Sequence, residues 1–202
     1  MAIVTGAILT GGKSSRFGGE NKALADLAGK PLIQHVIDRL KPQVSELLFS
    51  GNKYALETVK LTRSPIWVSD IVQGQRGPLI GILSCLKYMQ ASNSEWLLTS
   101  GCDTPLLPTN LAKILLNRAK EAGSQLCVPH DGIRLQTANA LWHRNLYPIL
   151  KAAVEDAGIQ GVHQFLDTHP HTVANWPKDT NDFINLNTQV DLENAEKLLN
   201  TS

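Results

Sequence analysis

Along the first two thirds of the chain, short unbroken apolar runs alternate with stretches in which apolar residues recur every three or four positions. The short runs are the pattern of strands buried on both faces, and the spaced stretches that of amphipathic helices. Ile3–Thr10, rich in β-branched residues, reads as a first strand, followed by Glu46–Ser50, Ile66–Val68 and Trp96–Ser100. Pro31 opens a helix carrying Leu32, Val36, Ile37 and Leu40 that stops near Pro42, and Gly77-Pro78 starts a second that runs through Met89. Thr109 is placed to cap a third helix ending near Ala122, with Gly123 as its stop. Leu126–Pro129 and Gln136–Trp142 suggest two more strands in a hairpin or mixed region around Asp131-Gly132. Helices are expected near Leu146–Glu155, Val162–Leu166 and Val190–Leu199, with a short strand around Phe183–Asn185. The alternation predicts an α/β fold, a three-layer α/β/α sandwich with a largely parallel central sheet, in a single domain over residues 1–202.

In such sheets ligands lie at the carboxyl ends of the strands, near a switch in strand order. Polar motifs collect there: a glycine loop after the first strand, Asn52 after the second, Asp70 after the third and Asp103 after the fourth. The loop reads Leu-Thr-Gly-Gly-Lys-Ser-Ser-Arg-Phe-Gly-Gly-Glu-Asn-Lys over Leu9–Lys22. Gly11 and Gly12 let backbone N–H groups approach phosphate oxygens, and Arg16 and Lys22 offset phosphate charge as a planar fork and a point charge. A Gly/Ser surface loop without chemistry would gain nothing from those two cations. The P-loop pattern fails because Ala7 stands where its first glycine belongs, and no Gly-x-Gly-x-x-Gly passes through Gly11, Gly12, Gly18 and Gly19. The chain therefore reads as an enzyme acting on a nucleoside triphosphate.

Composition removes several other classes. Of 202 residues, 43% are hydrophobic, enough for a sizeable core, and a net charge of +1 gives no broad nucleic-acid footprint. Cys85, Cys102 and Cys127 are odd in number and widely spaced, which argues against a disulfide scaffold or a zinc site and for a reduced compartment. The apolar N-terminus lacks a basic leader and a cleavage site, and no run reaches the ~18 apolar residues of a membrane span. A cytoplasmic protein is expected, without nucleic-acid or membrane partners.

Single residues refine the site. Asp103, ahead of Thr104-Pro105, suits Mg²⁺, which takes one or two carboxylates plus waters and phosphate oxygens; a turn-capping Asp is the alternative. Asp70 can accept from a nucleotide or a metal-bound water, or be a solvated loop acid, and Asn52 can pair with a base edge or simply turn the chain after Gly51. Gly77-Pro78-Leu79-Ile80-Gly81 brings a helix start to the same rim, as a ligand contact or as a plain helix opening. Asn185 and Asn187 share one face of an extended segment, where amides can orient a substrate or end a strand. Cys102 has no assignable activating group, and His163, His169 and His171 match no zinc signature.

With these residues in view, the chain resembles the molybdenum cofactor guanylyltransferases. The glycine loop is similar to that family's Leu-Ala-Gly-Gly-x-Ser-x-Arg-Met-Gly-x-Asp-Lys. Gly77–Leu83, Cys102–Pro105 and Asn185–Leu192 resemble its Gly-Pro-Leu-Ala-Gly, Cys-Asp-x-Pro and Asn-x-Asn-Thr-Pro-Glu-Asp/Glu-Leu segments, in the same order. Thr10 stands for the usual alanine, Phe17 for methionine, Asn21 for aspartate, and Gln189-Val190 for Pro-Glu. The resemblance implies a Rossmann-like nucleotidyltransferase fold whose N-terminal part binds nucleotide and whose C-terminal part binds pterin. It implies transfer of GMP from GTP to Mo-molybdopterin, giving molybdopterin guanine dinucleotide and pyrophosphate. On that footing Leu9, Thr10, Gly11, Gly12, Lys22, Asn52, Asp70 and Asp103 contact GTP, and Arg16, Lys22 and Asp103 are catalytic. Asp103 also holds Mg²⁺, the expected cofactor, while Arg134, Asn185 and Asn187 are the pterin candidates. Partners are the two substrates, with transient contact to molybdenum cofactor donor or acceptor proteins, and a monomer is expected. A cytidylyltransferase acting on the same pterin or on a sugar or polyol phosphate, and a nucleotide sensor without transfer, are the alternatives.

Overall fold

The structure, a computed structural model, describes residues 3–10, 21–51, 65–72, 77–178 and 180–200. The first apolar runs form β1 (Val4–Leu9), β4 (Glu46–Ser50), β5 (Ile66–Val68) and β6 (Trp96–Gly101), all mutually parallel. They continue through β8 (Leu141–His143) and β7 (Leu126–His130) to β9 (Thr172–Asn175), giving a seven-stranded sheet in the order β5-β4-β1-β6-β8-β7-β9. β8 runs antiparallel to both neighbours, and β9 pairs parallel with β7. A small hairpin of β2 (Asp26–Leu27) and β3 (Lys30–Pro31) follows the glycine loop in the chain.

Alternating strand residues face two separate cores. Ala7, Leu9, Leu48 and Leu97 pack with α2 (Pro78–Met89), α4 (Tyr147–Glu155) and α5 (Val162–Thr168). Ile8, Phe49, Trp96 and Leu98 pack with α1 (Leu32–Leu40) and α3 (Leu111–Glu121) on the other face. This is the expected α/β/α layering. A third cluster holds α6 (Gln189–Asn200) through Leu192 and Ala195 against Leu27, Leu32 and Leu186. Among the described residues no helix is long and apolar enough to cross a membrane.

The second half departs from the sequence reading. The strand expected over 136–142 begins only at Leu141 and runs to His143, because Gln136 turns to donate to Asp131 and Asn139 accepts from Ser100. Thr172–Asn175, not foreseen, supplies the far edge strand. Residues 183–185 form no strand: the Phe183 ring meets Trp176 edge-on at 5.2 Å, and the chain turns there instead of joining the sheet. The third helix is flanked by Asn110, with no side-chain cap, rather than being capped by Thr109.

Candidate functional site

The strand order places four carboxyl ends side by side. Across β5-β4-β1-β6 they bring Asp70, Ser50-Gly51, Thr10 and Asp103 to one rim. With neighbouring strands about 4.8 Å apart, Asp70 and Asp103 stand roughly 14 Å from each other along it. One metal ion cannot bridge that span, so the two carboxylates serve different parts of a ligand.

At the centre of the rim Leu9 is buried and in register with Ser50 on one side and Gly101 on the other. Thr10, which replaces alanine of the family pattern, donates both its main-chain N–H and its hydroxyl to the Ser50 carbonyl, each at 2.8 Å. The chain is thus tied to β4 just where it enters the glycine loop. Helix α2 comes close over the same corner: a Cβ on Gly81 would lie 2.5 Å from Ser50 Oγ, so any larger residue would force the Ser50 hydroxyl to turn away. Gly11, Gly12, Arg16 and Asn52 lie outside the described residues.

Lys22 is where the structure joins distant segments. Asn21 caps the short 3₁₀ turn Lys22–Leu24, its Oδ1 accepting from Ala23 N at 3.1 Å. An amide oxygen therefore caps this turn where the family pattern has a carboxylate. The Lys22 ammonium donates to Asp103 Oδ2 and to Asn187 Oδ1, both at 2.6 Å. The side chains of Lys22 and Asp103 are 16% and 28% exposed, so this is a partly desolvated pair open on one side. Close packing fixes the carboxylate as well, since a Cβ on Gly101 would sit 2.6 Å from Asp103 Oδ1.

A second strip of chain is fastened along residues 103–104. Leu186 N–H donates to the Asp103 carbonyl at 3.0 Å, and the Thr104 hydroxyl donates to Asn185 Oδ1 at 3.0 Å. Beyond it, Asp191 Oδ2 accepts from the main-chain N–H groups of Asn187 and Thr188, each at 2.8 Å. Those bonds, the Asn187 one first, hold the Asp191 carboxyl below the usual range. Neither Thr104 nor Asp191 was singled out from the sequence. Asp191 carried a readable signal, because Thr188-x-x-Asp191 is a capping-box spacing ahead of a helix.

Beside this strip lies a cavity of about 330 Å³, lined among others by Arg134, Lys178, Phe183 and Asn185. Two of the expected pterin residues, Arg134 and Asn185, thus share one recess, together with Lys178, which sequence reading passed over. The third, Asn187, points its amide oxygen at Lys22. Elsewhere on the rim, burial raises the Asp70 carboxyl above its ordinary value. Burial, aided by the Asp103 charge, pushes the Cys102 thiol up to about 12, which disfavours the thiolate that a nucleophile needs. Among the described residues no cluster of three or more His, Cys, Asp or Glu could hold a metal ion. Asp103 therefore offers one carboxylate, a donor set that fits Mg²⁺ completed by water and phosphate oxygens.

Comparison with known proteins identifies the family. The MobA-like NTP transferase domain matches residues 6–173. A molybdenum cofactor guanylyltransferase of Shewanella sediminis is 35% identical over 185 residues, covering 92% of this chain and 91% of that protein. One from Yersinia pseudotuberculosis is 37% identical over 193 residues, 94% of this chain and 93% of its own length. Molybdopterin-guanine dinucleotide biosynthesis protein A from Archaeoglobus fulgidus has a similar crystal structure, with a TM-score of 0.78. It covers 98% of this chain and 100% of that one at 21% identity, which bears on the fold alone.

Proposed function

The chain belongs to the MobA-like NTP transferase family, and from that premise we propose that it transfers GMP from GTP to the terminal phosphate of Mo-molybdopterin. The products are molybdopterin guanine dinucleotide and pyrophosphate. The names of relatives at 35% and 37% identity support this base and this acceptor. The observation that carries the reading is the Lys22–Asp103 contact of 2.6 Å at the carboxyl end of β6, which sets a cation beside a carboxylate suited to a triphosphate and its metal ion.

A phosphate oxygen of the acceptor attacks the α-phosphorus of GTP in line. The bond to the bridging oxygen breaks, and pyrophosphate leaves with the electron pair. Such a displacement asks the protein for position and charge rather than for a nucleophile. Leu9 and Thr10 hold the strand end against which the nucleotide lies, and Gly11 and Gly12 present backbone N–H groups to its phosphates. Arg16 and Lys22 stabilise the charge that develops on the leaving pyrophosphate. Asp70 and Asn52 receive the nucleoside end. Asp103 holds Mg²⁺, which when bound supplies positive charge to the α-phosphate. The recess with Arg134, Lys178 and Asn185 receives the pterin and sets its phosphate beside the Asp103 strip. The reaction runs in the cytoplasm, in keeping with three unpaired cysteines.

The test uses purified protein, Mo-molybdopterin and α-labelled GTP or CTP, with Mg²⁺ or with excess chelator. Label entering a pterin dinucleotide from GTP, and only with Mg²⁺, is the expected result. Transfer from CTP would overturn the base, transfer in chelator would overturn the metal, and no transfer from either nucleotide would overturn the reaction.

A further inference from the structure

Asp191 makes no hydrogen bond to Lys22 or Asp103 among the described contacts, yet its carboxylate holds the backbone of Asn187, which in turn meets Lys22. One oxygen, Oδ2, accepts from two consecutive main-chain N–H groups, Asn187 and Thr188, at 2.8 Å each. The return half of the capping box is present, with Asp191 N–H donating to Thr188 Oγ1 at 3.2 Å. An ordinary capping box closes on the cap residue alone. Here the carboxylate reaches one residue further and fixes the backbone of Asn187, whose side chain accepts from the Lys22 ammonium at 2.6 Å. Of the family's segment, Asn187, Thr188 and Asp191 make these bonds and Asn185 accepts from Thr104, whereas Gln189 and Val190, which depart from it, form the first turn of α6. Val190 is 62% exposed.

We propose that Asp191 is a positioning residue for transfer, aiming Asn187 so that Lys22 is held between Asn187 and Asp103. This rests on the reading of Lys22 as the cation facing pyrophosphate. Helix α6 is otherwise anchored by Leu192 and Ala195, so the chain does not need Asp191 to keep the helix docked. Loss of the carboxylate frees the Asn187 backbone, and the ammonium loses its well-aimed bond to the Asn187 amide oxygen. A mis-aimed transition-state contact shows in kcat rather than in KM.

The experiment compares Asp191→Ala, Asp191→Asn and Thr188→Ala, each with kcat and KM for GTP, a melting curve, and the ¹⁵N resonance of the Lys22 ammonium. Thr188→Ala removes a helix-capping hydroxyl but leaves the Asp191–Asn187 bond, so it reports what helix stability alone does. Asp191→Ala is expected to lower kcat about tenfold or more, the scale of losing a supporting contact, with KM nearly unchanged and the Lys22 resonance shifted. Asp191→Asn, which keeps an acceptor oxygen, recovers much of kcat, and Thr188→Ala keeps both kcat and the resonance. In an Asn187→Ala background, Asp191→Ala adds nothing further, because the two act through one contact. Equal losses in Asp191→Ala and Thr188→Ala, or an unshifted Lys22 resonance in Asp191→Ala, would overturn the proposal. If the wild-type protein transfers nothing, the reading of the function fails, and the resonance still decides whether Asp191 aims Lys22.

Discussion

Replacing Lys22 by methionine keeps the side chain's length and bulk and removes its charge and its donors. Two bonds of 2.6 Å are lost, to Asp103 and to Asn187. Hydrogen bonds to charged groups contribute about 1.5–3 kcal/mol each when buried and exposed pairs about 0–1, and at 16% and 28% exposure the pair lies between. Freed of its partner, Asp103 is rehydrated from its open side, so the total stability loss is about 2 kcal/mol. For a chain of 202 residues this lowers Tm by about 4–8 °C. A domain stable by at least about 5 kcal/mol keeps about 3 kcal/mol, and fewer than about one molecule in a hundred unfolds. Unfolding therefore leaves the measured rate unchanged. Loss of an electrostatic stabiliser at the leaving group, by contrast, lowers kcat by roughly 10²-fold or more. The assay is transfer from α-labelled GTP at saturating substrate, run well below the Tm of the variant. A Lys22→Met enzyme with the expected drop in Tm and a kcat within about threefold of wild type would make Lys22 a structural strut and refute the argument.

Gly101→Ala places a Cβ 2.6 Å from Asp103 Oδ1; the carboxylate must swing away, and since a misplacement of about 1 Å costs about 10²-fold, transfer should fall steeply, with a Tm drop no larger than that of Lys22→Met. Unchanged turnover would show that the position of this carboxylate is immaterial. Asp70 has a carboxyl raised by burial, so the folded state binds its proton more tightly than the unfolded chain, and the cost of ionising it grows as pH rises from the ordinary carboxylate value through the folded one. Asp70→Asn should therefore melt slightly higher than wild type at pH 7, with the gap closing below the ordinary carboxylate range, and bind GTP more weakly; a gap that persists in acid would contradict this. Cys85, Cys102 and Cys127 all have thiols pushed up to about 12, chiefly by burial, so iodoacetamide at pH 8 should label the folded protein far more slowly than the urea-unfolded chain. Rapid labelling of Cys102 in the folded protein would reopen its case as a reactive group.

The first half was legible because each of its strands is a short apolar run closed by a residue that ends it. Trp96–Gly101 stops at Cys102-Asp103, one residue beyond the sequence reading, and Glu46–Ser50 and Ile66–Val68 match it at both ends. Burial on both faces makes such runs nearly independent of what packs on them. The second half reads less well because long-range polar contacts decide its course. Gln136 and Asn139 lie within what looks like a strand, yet both are buried and spent on Asp131 and Ser100, which no local pattern announces. Thr172–Asn175 is a four-residue edge strand with polar residues at both ends, too short and too mixed for alternation to stand out.

The site divides along the same line. That Thr10, Asp70 and Asp103 should share a rim follows from parallel strands whose ends all face one way, and it needs no knowledge of side chains. What the sequence could not announce is that Lys22 closes on Asp103, 81 positions away, and on Asn187, 165 positions away. Only the order β4-β1-β6, with residues 185–188 laid along 103–104, makes those distances short. The departures from the family pattern can be judged by the same contacts. At position 21 an amide oxygen still caps the turn that carries Lys22, so the change costs a charge but not the geometry. At position 10 a hydroxyl adds a second bond to the Ser50 carbonyl instead of removing one. At 189–190 the replaced residues lie on the first turn of α6, between Thr188 and Asp191, which keep their reciprocal bonds. At each of these positions the hydrogen bonds that flank Lys22 or tie β1 to β4 are present with the altered residue in place, and the proposed role of Asp191 stands on those bonds.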